Sequence, residues 1–494
     1  MWNTVNFRVC DFINKIIIGI IRLMKFKELN LTNNPKIVTE LPGKLAKKFL
    51  ETQKDIESSN VSYPHHFPLV PKIARGSIIE DVDGNQFIDF FAGCGVLNIG
   101  HNNPRVIQSL LKYLDSDGII QGLDFPTEAR EKYAEKILSY FNVKFGGEWV
   151  INFGSPTGSD AVEAAIKLAR INTKRNGMGS FQGGYHGMTT GALAVTSKMS
   201  HKRQMTNLPS QVVFLPYCSD YRCPLCEKGG KGECLKYIKN LFDNSHSGIE
   251  KPAAIIIEPV QGEGGTYSPP EGWLKSLVDI CHERDILVIF DEIQSGFYRT
   301  GTLCSFENSG AIPDIVTLSK GFGGIGIPFS AIVYRKELNT WNKGTHIGTF
   351  RGNQLSFVAG LEALNYIEEN DVSKHVVDMG DFILKELSLM KEKSSIIGDV
   401  RGVGMMFGIE MVKNKVDKTP FPECIDILAR KMFERGLLVE SGGYHNNVIR
   451  LIPPLTISTE LVVKALGIFK EIIGDFEEKL NKNEIVNNPI SLVV

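Results

Sequence analysis

The sequence predicts an α/β fold in which a large, mostly parallel sheet flanked by helices is joined to a smaller α+β domain. In the middle of the chain, short apolar runs alternate with helical patterns, and such runs are typical of parallel strands buried on both faces. From about residue 372 onward, apolar residues recur every three or four positions, which predicts helices separated by only short strands. Together the two patterns indicate a large sheet domain followed by a smaller mixed domain.

The composition of the 494-residue chain is that of an ordinary soluble globular protein, with 43% hydrophobic residues and a mean hydropathy of −0.06. The 55 lysines and arginines nearly balance the 56 aspartates and glutamates, so no strong field attracts nucleic acid or an anionic membrane surface. Nine cysteines, an odd number spread along the chain, favour reduced thiols and a cytoplasmic location over a secreted disulfide framework. We therefore expect small-molecule partners, without nucleic acid or membrane.

Three parts are expected along the chain: an N-terminal leader and arm at residues 1–70, a large domain at 71–355 and a small α+β domain at 356–494. The leader contains an apolar run at residues 16–21 that is too short to span a membrane, and no small-residue cleavage site follows it. We interpret this run as a surface or partner-packing helix, or as part of an over-long start with Met24 as an alternative initiator.

The large domain opens with a predicted hairpin. Residues 78–89 alternate between apolar and polar on both sides of an Asp-Gly-Asn turn, which is the pattern of two antiparallel strands. This first part of the large domain, about 71–110, is also a candidate to pack with the small domain.

Three predicted strands of the large domain each end in a charged residue. In open α/β sheets, ligands bind at the carboxyl ends of the strands, so these residues are expected to converge on one cleft. For any one of them, the alternative interpretation is a solvated loop start. The strands are residues 253–257, 286–290 and 314–319, and the charged residues that end them are Glu258, Asp291 and Lys320.

A Gly-Ser-Pro-Thr-Gly-Ser turn at residues 154–159 opens directly into an Ala-rich helix. Free backbone N–H groups, hydroxyls and the helix dipole then point at one spot, which suits a phosphate. The alternative is simply a well-capped helix, with Ser159 or Asp160 as the cap.

Asp291 and Lys320 indicate a cofactor when they are taken together. Lys320 ends a buried strand and is followed by Gly-Phe-Gly-Gly, so its amine has room for a flat group and is easily desolvated to the neutral form. Pyridoxal phosphate requires a lysine for its Schiff base, an acid beside its pyridine nitrogen, a phosphate cradle and a face for its ring. Each of these parts has a candidate in the sequence.

Five short motifs follow one another in a characteristic order. They are Tyr185-His186-Gly187, Glu-Pro-Val-Gln-Gly-Glu-Gly-Gly at 258–265, Asp-Glu-Ile-Gln-Ser-Gly at 291–296, Leu-Ser-Lys-Gly at 318–321 and Gly-Thr-Phe-Arg-Gly-Asn at 348–353. Together they resemble the class III pyridoxal-phosphate aminotransferases of fold type I, over residues 63 to 475. The resemblance implies a large domain with a seven-stranded-type sheet, and an enzyme that transfers amino groups.

The resemblance also implies roles for individual residues. Lys320 is expected to form the Schiff base and to move the proton, Asp291 to pair with the pyridine nitrogen, and Gln294 to bond near the ring oxygen. Tyr185 is expected to stack on the ring, and Thr349 to reach the phosphate of the neighbouring subunit, which implies an obligate homodimer. The residues placed at the cofactor in this way are Gly158, Ser159, Tyr185, His186, Glu258, Asp291, Gln294, Lys320 and Thr349.

Arg450 and Glu263 are the candidates for handling two unlike substrates. Arg450 resembles the family arginine that receives the α-carboxylate of glutamate or 2-oxoglutarate, and a guanidinium fork fits a carboxylate bidentately. Glu263 matches the family glutamate that pairs with this arginine when the donor presents a distal amine. A plain structural ion pair is the alternative interpretation.

Within the class, the segments at 154–163, 221–224 and 348–354 resemble the diaminobutyrate:2-oxoglutarate aminotransferases. The alternatives are other ω-amino acid transaminases acting on 4-aminobutyrate, ornithine or lysine-like donors, an isomerase with the same cofactor, and a catalytically inert regulatory protein. The chain departs from the common class pattern at Asp160, where many members have Glu, and at Gly321, where many have Ala.

Four cysteines lie close together in the sequence, at positions 218, 223, 226 and 234. Cys223 and Cys226 have the CxxC spacing of zinc ligands. The outer spacings are irregular, and the resemblance includes the Tyr-Arg-Cys-Pro loop without a metal requirement. The sequence interpretation therefore assigns no metal, with a structural zinc as the alternative.

Overall fold

The computed structural model of the protein describes residues 25–226 and 232–482. Its largest sheet has seven strands, in the order β4-β10-β9-β8-β7-β5-β6. The strands of this sheet are β4 (Trp149–Phe153), β5 (Met178–Phe181), β6 (Val212–Leu215), β7 (Ala254–Ile257), β8 (Leu287–Asp291), β9 (Ile315–Leu318) and β10 (Ala331–Arg335).

The seven-stranded sheet is mostly parallel, as the sequence predicts. Strands β6, β5, β7, β8 and β9 run in the same direction, and β10 pairs antiparallel with both β9 and β4. In register, Ile257 lies beside Phe290 and Asp291 beside Thr317. The carboxyl ends of β7, β8 and β9 therefore meet at one edge, where Glu258 follows β7, Asp291 ends β8 and Lys320 lies two residues after β9.

Both faces of the sheet are covered, which explains the continuous apolar runs. Ile256 and Ile289 belong to one buried cluster together with the Ala-rich helix, whereas Ile257 and Phe290 belong to a second cluster on the opposite face. Successive side chains of a strand point to opposite faces, so a strand buried on both sides carries no polar alternation.

Helices surround the sheet and build most of the C-terminal part. Their bounds are α1 (Lys44–Ile56), α2 (Tyr63–His66), α3 (Ala92–Gly95), α4 (Pro104–Asp115), α5 (Glu128–Phe145), α6 (Gly158–Thr173), α7 (Thr190–Val195), α8 (Gly232–Asp243), α9 (Trp273–His282), α10 (Gln354–Glu369), α11 (Val372–Lys393), α12 (Ile425–Glu434) and α13 (Thr459–Asn481). The helical periodicity read from the sequence after residue 372 corresponds to α11, α12 and α13.

Within the described residues, two smaller four-stranded sheets accompany the large one. The first has the order β1-β2-β3-β13 and the second the order β11-β12-β15-β14. Their strands are β1 (Pro71–Arg75), β2 (Ile78–Asp81), β3 (Gln86–Asp89), β11 (Ile397–Val403), β12 (Met406–Met411), β13 (Leu437–Leu438), β14 (Glu440–Gly442) and β15 (Val448–Leu451).

The first small sheet joins distant parts of the chain. The predicted hairpin forms as β2 and β3, and Ile88 of β3 lies in register beside Leu437 of β13, in a parallel pair. The N-terminal hairpin thus adds to an element of the C-terminal part. The division at residues 70 and 355 remains our proposal for the domains.

No helix within 25–226 and 232–482 is both long and apolar enough to cross a membrane. The apolar run at residues 16–21, with Met24 behind it, lies outside the described residues.

Candidate active site

A cavity of about 820 Å³ lies at the carboxyl edge of the seven-stranded sheet. It is bounded by the ends of β7, β8 and β9, by the start of α6, and by β14 and β15 of the second small sheet. The predicted site residues that line it are Gly158, Ser159, Tyr185, His186, Glu258, Glu263, Asp291, Gln294, Lys320 and Arg450. The fold therefore gathers residues from six separate segments around one space.

Asp291 is the last residue of β8, and its carboxylate is almost fully buried. Its Oδ1 accepts hydrogen bonds from the Thr317 hydroxyl at 3.0 Å and the Ile293 backbone N–H at 3.1 Å. Its Oδ2 lies 2.7 Å from Nδ1 of His186. These partners fix the direction of the carboxylate, which is the requirement for an acid that faces a ring nitrogen.

Lys320 follows β9 and has a φ of 51°, in the left-handed region. A side chain in this conformation costs about 1–2 kcal/mol, so the turn holds the lysine against local strain. Burial lowers the pKa of Lys320, and the nearby Arg450 cation lowers it further. The amine is therefore easier to deprotonate than that of an ordinary lysine, as a nucleophile or base requires.

Gly321 departs from the common alanine because Asn98 occupies the space beside it. A Cβ on Gly321 would lie 2.5 Å from Asn98 Nδ2. Asn98 is buried and is held in place, since its Nδ2 donates to the Phe297 carbonyl at 2.7 Å and its Oδ1 accepts from Arg299 at 2.8 Å. Glycine at position 321 therefore avoids a clash with Asn98, which cannot move aside because two hydrogen bonds hold it.

Glu258, at the end of β7, connects two other parts of the site. Its carboxylate accepts from the backbone N–H of Tyr185 at 3.0 Å and from that of Gly262 at 2.8 Å. Burial raises the pKa of Glu258 to about 7, with the neighbouring Asp291 charge adding to the effect. Glu258 therefore positions the backbone beside the predicted ring-stacking tyrosine and the loop that carries Glu263.

The predicted phosphate cradle lies at the start of α6. A Cβ on Gly158 would lie 2.8 Å from the end of the Ile293 side chain, so a larger residue would crowd the helix start. The Ser159 hydroxyl accepts from the Met188 backbone N–H at 3.1 Å. Asp160 bonds back to the Ser155 backbone N–H at 2.7 Å, so it closes the turn before the helix. The N-cap residue Thr157 makes no side-chain cap bond, in contrast to the expected Ser159 or Asp160 cap.

The predicted pair of Arg450 and Glu263 is present, but it is loose. Arg450 Nη1 lies 3.5 Å from Glu263 Oε2, whereas the Lys198 amine is closer, at 2.7 Å from Glu263 Oε1. Arg450 is itself buried and also donates to the side-chain oxygen of Gln294, whose Nε2 donates to the Cys94 carbonyl at 2.9 Å. Glu263 thus lies between two cations, and Gln294 holds the arginine.

Several residues at the cavity were not found by the sequence interpretation, among them Tyr63, Cys94 and Glu440. The Tyr63 hydroxyl lies 2.8 Å from the Cys94 thiol, which donates to Glu440 at 3.3 Å. Burial raises the pKa of the Cys94 thiol to about 12, and the Glu440 carboxylate contributes to this. The three residues come from segments far apart in the chain, so no local pattern marks them. Lys198 was missed for the same reason.

Thr349 is the predicted site residue that does not line this cavity. It begins a short 3₁₀ turn at Thr349–Gly352, is exposed, and accepts a hydrogen bond from the Gln121 side chain through its carbonyl. Its expected place at the phosphate of a neighbouring subunit stays a prediction.

The residues around the cavity fit a pyridoxal phosphate. Lys320 offers an amine of lowered pKa, Asp291 offers a buried and oriented carboxylate, and the start of α6 offers backbone N–H groups where a side chain on Gly158 would intrude. Nε2 of His186 and Nε of Arg450 are buried without a hydrogen-bond partner in the described part of the chain. Buried polar atoms of this kind usually have partners, so a polar group is expected in the cavity.

Known proteins resemble this chain over most of its length. A family model described as "Aminotransferase class-III" matches residues 59–473. The diaminobutyrate–2-oxoglutarate aminotransferase of Haemophilus influenzae is 36% identical over 435 residues, which cover 86% of this chain and 95% of that one. The Rhizobium meliloti protein of the same name is 38% identical over 427 residues, with 85% and 91% coverage.

The solved structure of a Bacillus anthracis aminotransferase is similar in fold as well. It superimposes with a TM-score of 0.80 at 27% sequence identity and covers 88% of this chain and 100% of its own. The mostly parallel sheet, the converging charged residues and these matches agree with one another. The chain belongs to the class III aminotransferases, enzymes that use pyridoxal phosphate as their cofactor.

Proposed function

We propose that this enzyme transfers the terminal amino group of L-2,4-diaminobutyrate to 2-oxoglutarate, giving aspartate 4-semialdehyde and glutamate. The observation that carries this proposal is the position of Glu263 between the Arg450 and Lys198 cations, at 3.5 and 2.7 Å. A carboxylate held between two cations can leave one of them for the other when a substrate carboxylate arrives. The names of the relatives in Haemophilus influenzae and Rhizobium meliloti support the same donor and acceptor.

For 2-oxoglutarate, Arg450 supplies the binding group. Its guanidinium is buried and oriented by Gln294, so a carboxylate meets a preorganised, bidentate donor in a site of low dielectric. Glu263 must then move away from Arg450, and Lys198 gives its carboxylate a second cation to bind. The two substrates are thereby accepted in turn by one site.

For the donor, Glu440 carries the complementary charge; it is the register partner of Arg450 in the β14–β15 pair and lines the same cavity. Glu440 lines the cavity beside the Cys94 thiol, and burial holds that thiol in its neutral form. A half-buried carboxylate here favours a donor with a second ammonium group besides the one that reacts. 2,4-Diaminobutyrate has this second ammonium, and 4-aminobutyrate does not.

When bound, pyridoxal phosphate supplies an aldehyde that joins the substrate amine and a ring that takes up the electrons of the broken C–H bond. Lys320, in its neutral form, removes the proton from the carbon that bears the amine, and returns it at a neighbouring position. Asp291 is held in a fixed direction by Thr317 and His186, and its carboxylate would stabilise positive charge on the ring nitrogen of the bound cofactor. Gly158 and Ser159 would hold the phosphate through the start of α6.

We also place the active enzyme in the cytoplasm as a homodimer. Thr349 is exposed and lies outside the cavity of its own chain, which suits a residue that completes the site of a second copy. The balance of 55 basic and 56 acidic residues gives no reason to expect a nucleic acid or an anionic membrane as a partner.

A donor panel with 2-oxoglutarate tests the proposal. We expect kcat/KM for 2,4-diaminobutyrate to exceed that for 4-aminobutyrate, ornithine and lysine by at least about tenfold, which corresponds to about 1.4 kcal/mol of discrimination. The Glu440→Gln variant should reduce the preference for diaminobutyrate over 4-aminobutyrate, because the two donors differ in the second ammonium alone. Equal or better turnover of 4-aminobutyrate by the unmodified enzyme would refute the diaminobutyrate assignment and leave the aminotransferase activity intact.

A further inference from the structure

Four cysteine side chains meet in one cluster away from the active site. Their Sγ atoms all lie within 4.8 Å of one another, although the residues span seventeen positions of the chain. Two of the side chains are buried and two are half-buried. None of the four lines the active-site cavity. The members of this thiol cluster are Cys218, Cys223, Cys226 and Cys234.

The geometry of the thiol cluster suits a single ion. In a tetrahedral zinc site with Zn–S bonds of about 2.3 Å, the sulfurs lie about 3.8 Å apart. The Sγ atoms of Cys218 and Cys226 have this separation, at 3.8 Å, whereas the Sγ atom of Cys234 lies closer to those of Cys223 and Cys226, at 3.0 and 2.7 Å. An ion in the centre would move these three sulfurs apart by about 1 Å. None of the four is joined in a disulfide. The ligands of an iron–sulfur cluster surround several atoms, so they stand farther apart than the ligands of one ion.

The fold explains how irregular spacings produce this cluster. The loop after β6 carries the first three cysteines, and the Cys223 backbone N–H donates to the Ser219 carbonyl at 3.2 Å, which turns the loop back on itself. Cys234 comes from the first turn of α8, so a separate element supplies the fourth thiol. A CxxC pair in a turn joined by further thiols from a neighbouring element is a usual arrangement of a structural zinc.

We propose that the thiol cluster binds one zinc ion as a structural centre. Four thiolates saturate the tetrahedral coordination and leave no open position for a substrate. Zinc takes N and S ligands in this geometry, whereas magnesium and calcium require oxygen ligands. Each thiol loses its proton when the metal binds, so the affinity is pH-dependent. The proposal replaces the metal-free interpretation of the sequence, which could not show that the outer two thiols join the CxxC pair.

The zinc centre would fix the loop at residues 218–226, which is linked through ion pairs to a segment of the active site. Within this loop, Arg222 pairs with the buried Glu410 of β12 and donates to the Lys418 carbonyl at 2.8 Å. Glu410 also pairs with Arg401 at 2.9 Å, and Arg401 donates to the Gly265 carbonyl at 2.8 Å. Gly265 lies two residues after Glu263, so this chain of ion pairs runs from the thiol cluster to the segment that carries the predicted switch glutamate.

The first test is made on the full-length, untagged holoenzyme purified without added metal. Elemental analysis is expected to find about one zinc per chain. X-ray absorption at the zinc edge is expected to show four sulfur ligands at about 2.3 Å from the metal. Zinc below 0.1 per chain in active enzyme, iron in its place, or a shell of nitrogen and oxygen ligands would each overturn the proposal. This measurement requires no variant to fold.

A pair of variants then separates the thiol cluster from thiols in general. Cys226→Ser should reduce the zinc content at least tenfold and lower the thermal midpoint. The matched control is Cys424→Ser, because the Cys424 thiol donates to the Phe421 carbonyl at 3.0 Å and a hydroxyl can make the same bond. The control should keep its zinc. Equal zinc content in both variants would overturn the assignment, and the donor panel above remains an independent test of the reaction.

Discussion

The Asp291 carboxylate lies 2.7 Å from Nδ1 of the buried His186, at the carboxyl edge of the sheet. The histidine ring therefore acts as an orienting group for the acid, and its Nε2 is left without a partner in the described residues. A hydroxyl from Thr317 holds the other carboxylate oxygen at 3.0 Å. The acid of this site is thus fixed by the His186 and Thr317 side chains, in addition to the Ile293 backbone N–H.

We expect Asp291→Asn to lower kcat by about 100-fold or more, about 2.7 kcal/mol in activation free energy. The amide keeps the shape of the carboxylate but removes the negative charge that stabilises a protonated ring nitrogen. The measurement is steady-state kinetics at saturating cofactor. The control variant Thr317→Val removes one hydrogen bond to the same carboxylate, and it should cost less than tenfold. An equal loss of kcat in both variants would show that the charge of Asp291 is not the cause of the loss.

We expect Arg450→Lys to raise KM for 2-oxoglutarate by about 10- to 100-fold, because the bidentate contact is lost while the charge is kept. The two half-reactions, followed separately by single-turnover absorbance, provide the internal control. The half-reaction with the amine donor should change less than about threefold. An equal loss in both half-reactions would indicate a structural role for Arg450.

The shared-site prediction is tested by mixing two defective enzymes. Lys320→Ala lacks the reactive amine, and Thr349→Ala lacks the hydroxyl expected at the partner's phosphate. A mixed dimer has one site in which both residues are intact, so co-refolded or co-expressed chains should recover part of the wild-type activity. Parent homodimers at the same total concentration are the control. The role of Thr349 would be contradicted if the enzyme were a monomer in solution. It would also be contradicted if the mixed chains were no more active than the two parent homodimers.

Stability should depend on pH through Glu258. Its pKa is about 7 in the folded enzyme, and an unfolded glutamate titrates near 4.5. The folded state therefore holds a proton that the unfolded state has lost, and the free energy of unfolding falls as pH rises from about 4.5 to 7, by about 3 kcal/mol. Urea unfolding of the cofactor-free enzyme at several pH values measures this slope. Glu258→Gln should have a flatter profile.

Glu292 provides the matched comparison for this prediction. Burial raises its pKa to about 7 as well, but its carboxylate bonds to Ser295 and Ser305 and does not line the cavity. Glu292→Gln should therefore flatten the same part of the stability profile and keep the affinity for pyridoxal phosphate. A parallel profile for wild type and Glu258→Gln would show that Glu258 does not hold its proton up to neutral pH.

The last prediction concerns the phosphate cradle. Gly158→Ala places a Cβ 2.8 Å from the Ile293 side chain at the start of α6, so the affinity for pyridoxal phosphate should fall by about tenfold. Gly467→Ala is the control, because its Cβ meets open space within α13. This control should stabilise the helix by up to about 1 kcal/mol and leave cofactor affinity unchanged. Fluorescence titration of the cofactor-free enzymes compares the two.

Residues that follow a buried strand were predictable from the sequence. Glu258, Asp291 and Lys320 each follow a run of apolar residues, and parallel strands have their carboxyl ends at one edge. The contacts of the Arg450 and Gln294 side chains were not predictable from the sequence. Gln294 holds Arg450 and the Cys94 carbonyl, and Glu263 is nearer to Lys198 than to Arg450, because these partners come together only in the folded chain.

By itself, the sequence determined the α/β class and the sheet edge that carries the chemistry, since both depend on local periodicity and on the residue that ends each strand. It indicated the cofactor through Asp291, Lys320 and the turn at 154–159, and through the resemblance of its motifs to a known family. The tertiary structure alone decided which distant side chains touch. Glu440 lies beside Cys94, and Cys234 lies beside Cys226, because separate elements pack against each other. Contacts of this kind depend on the relative positions of whole strands and helices, and no short pattern of residues encodes those positions.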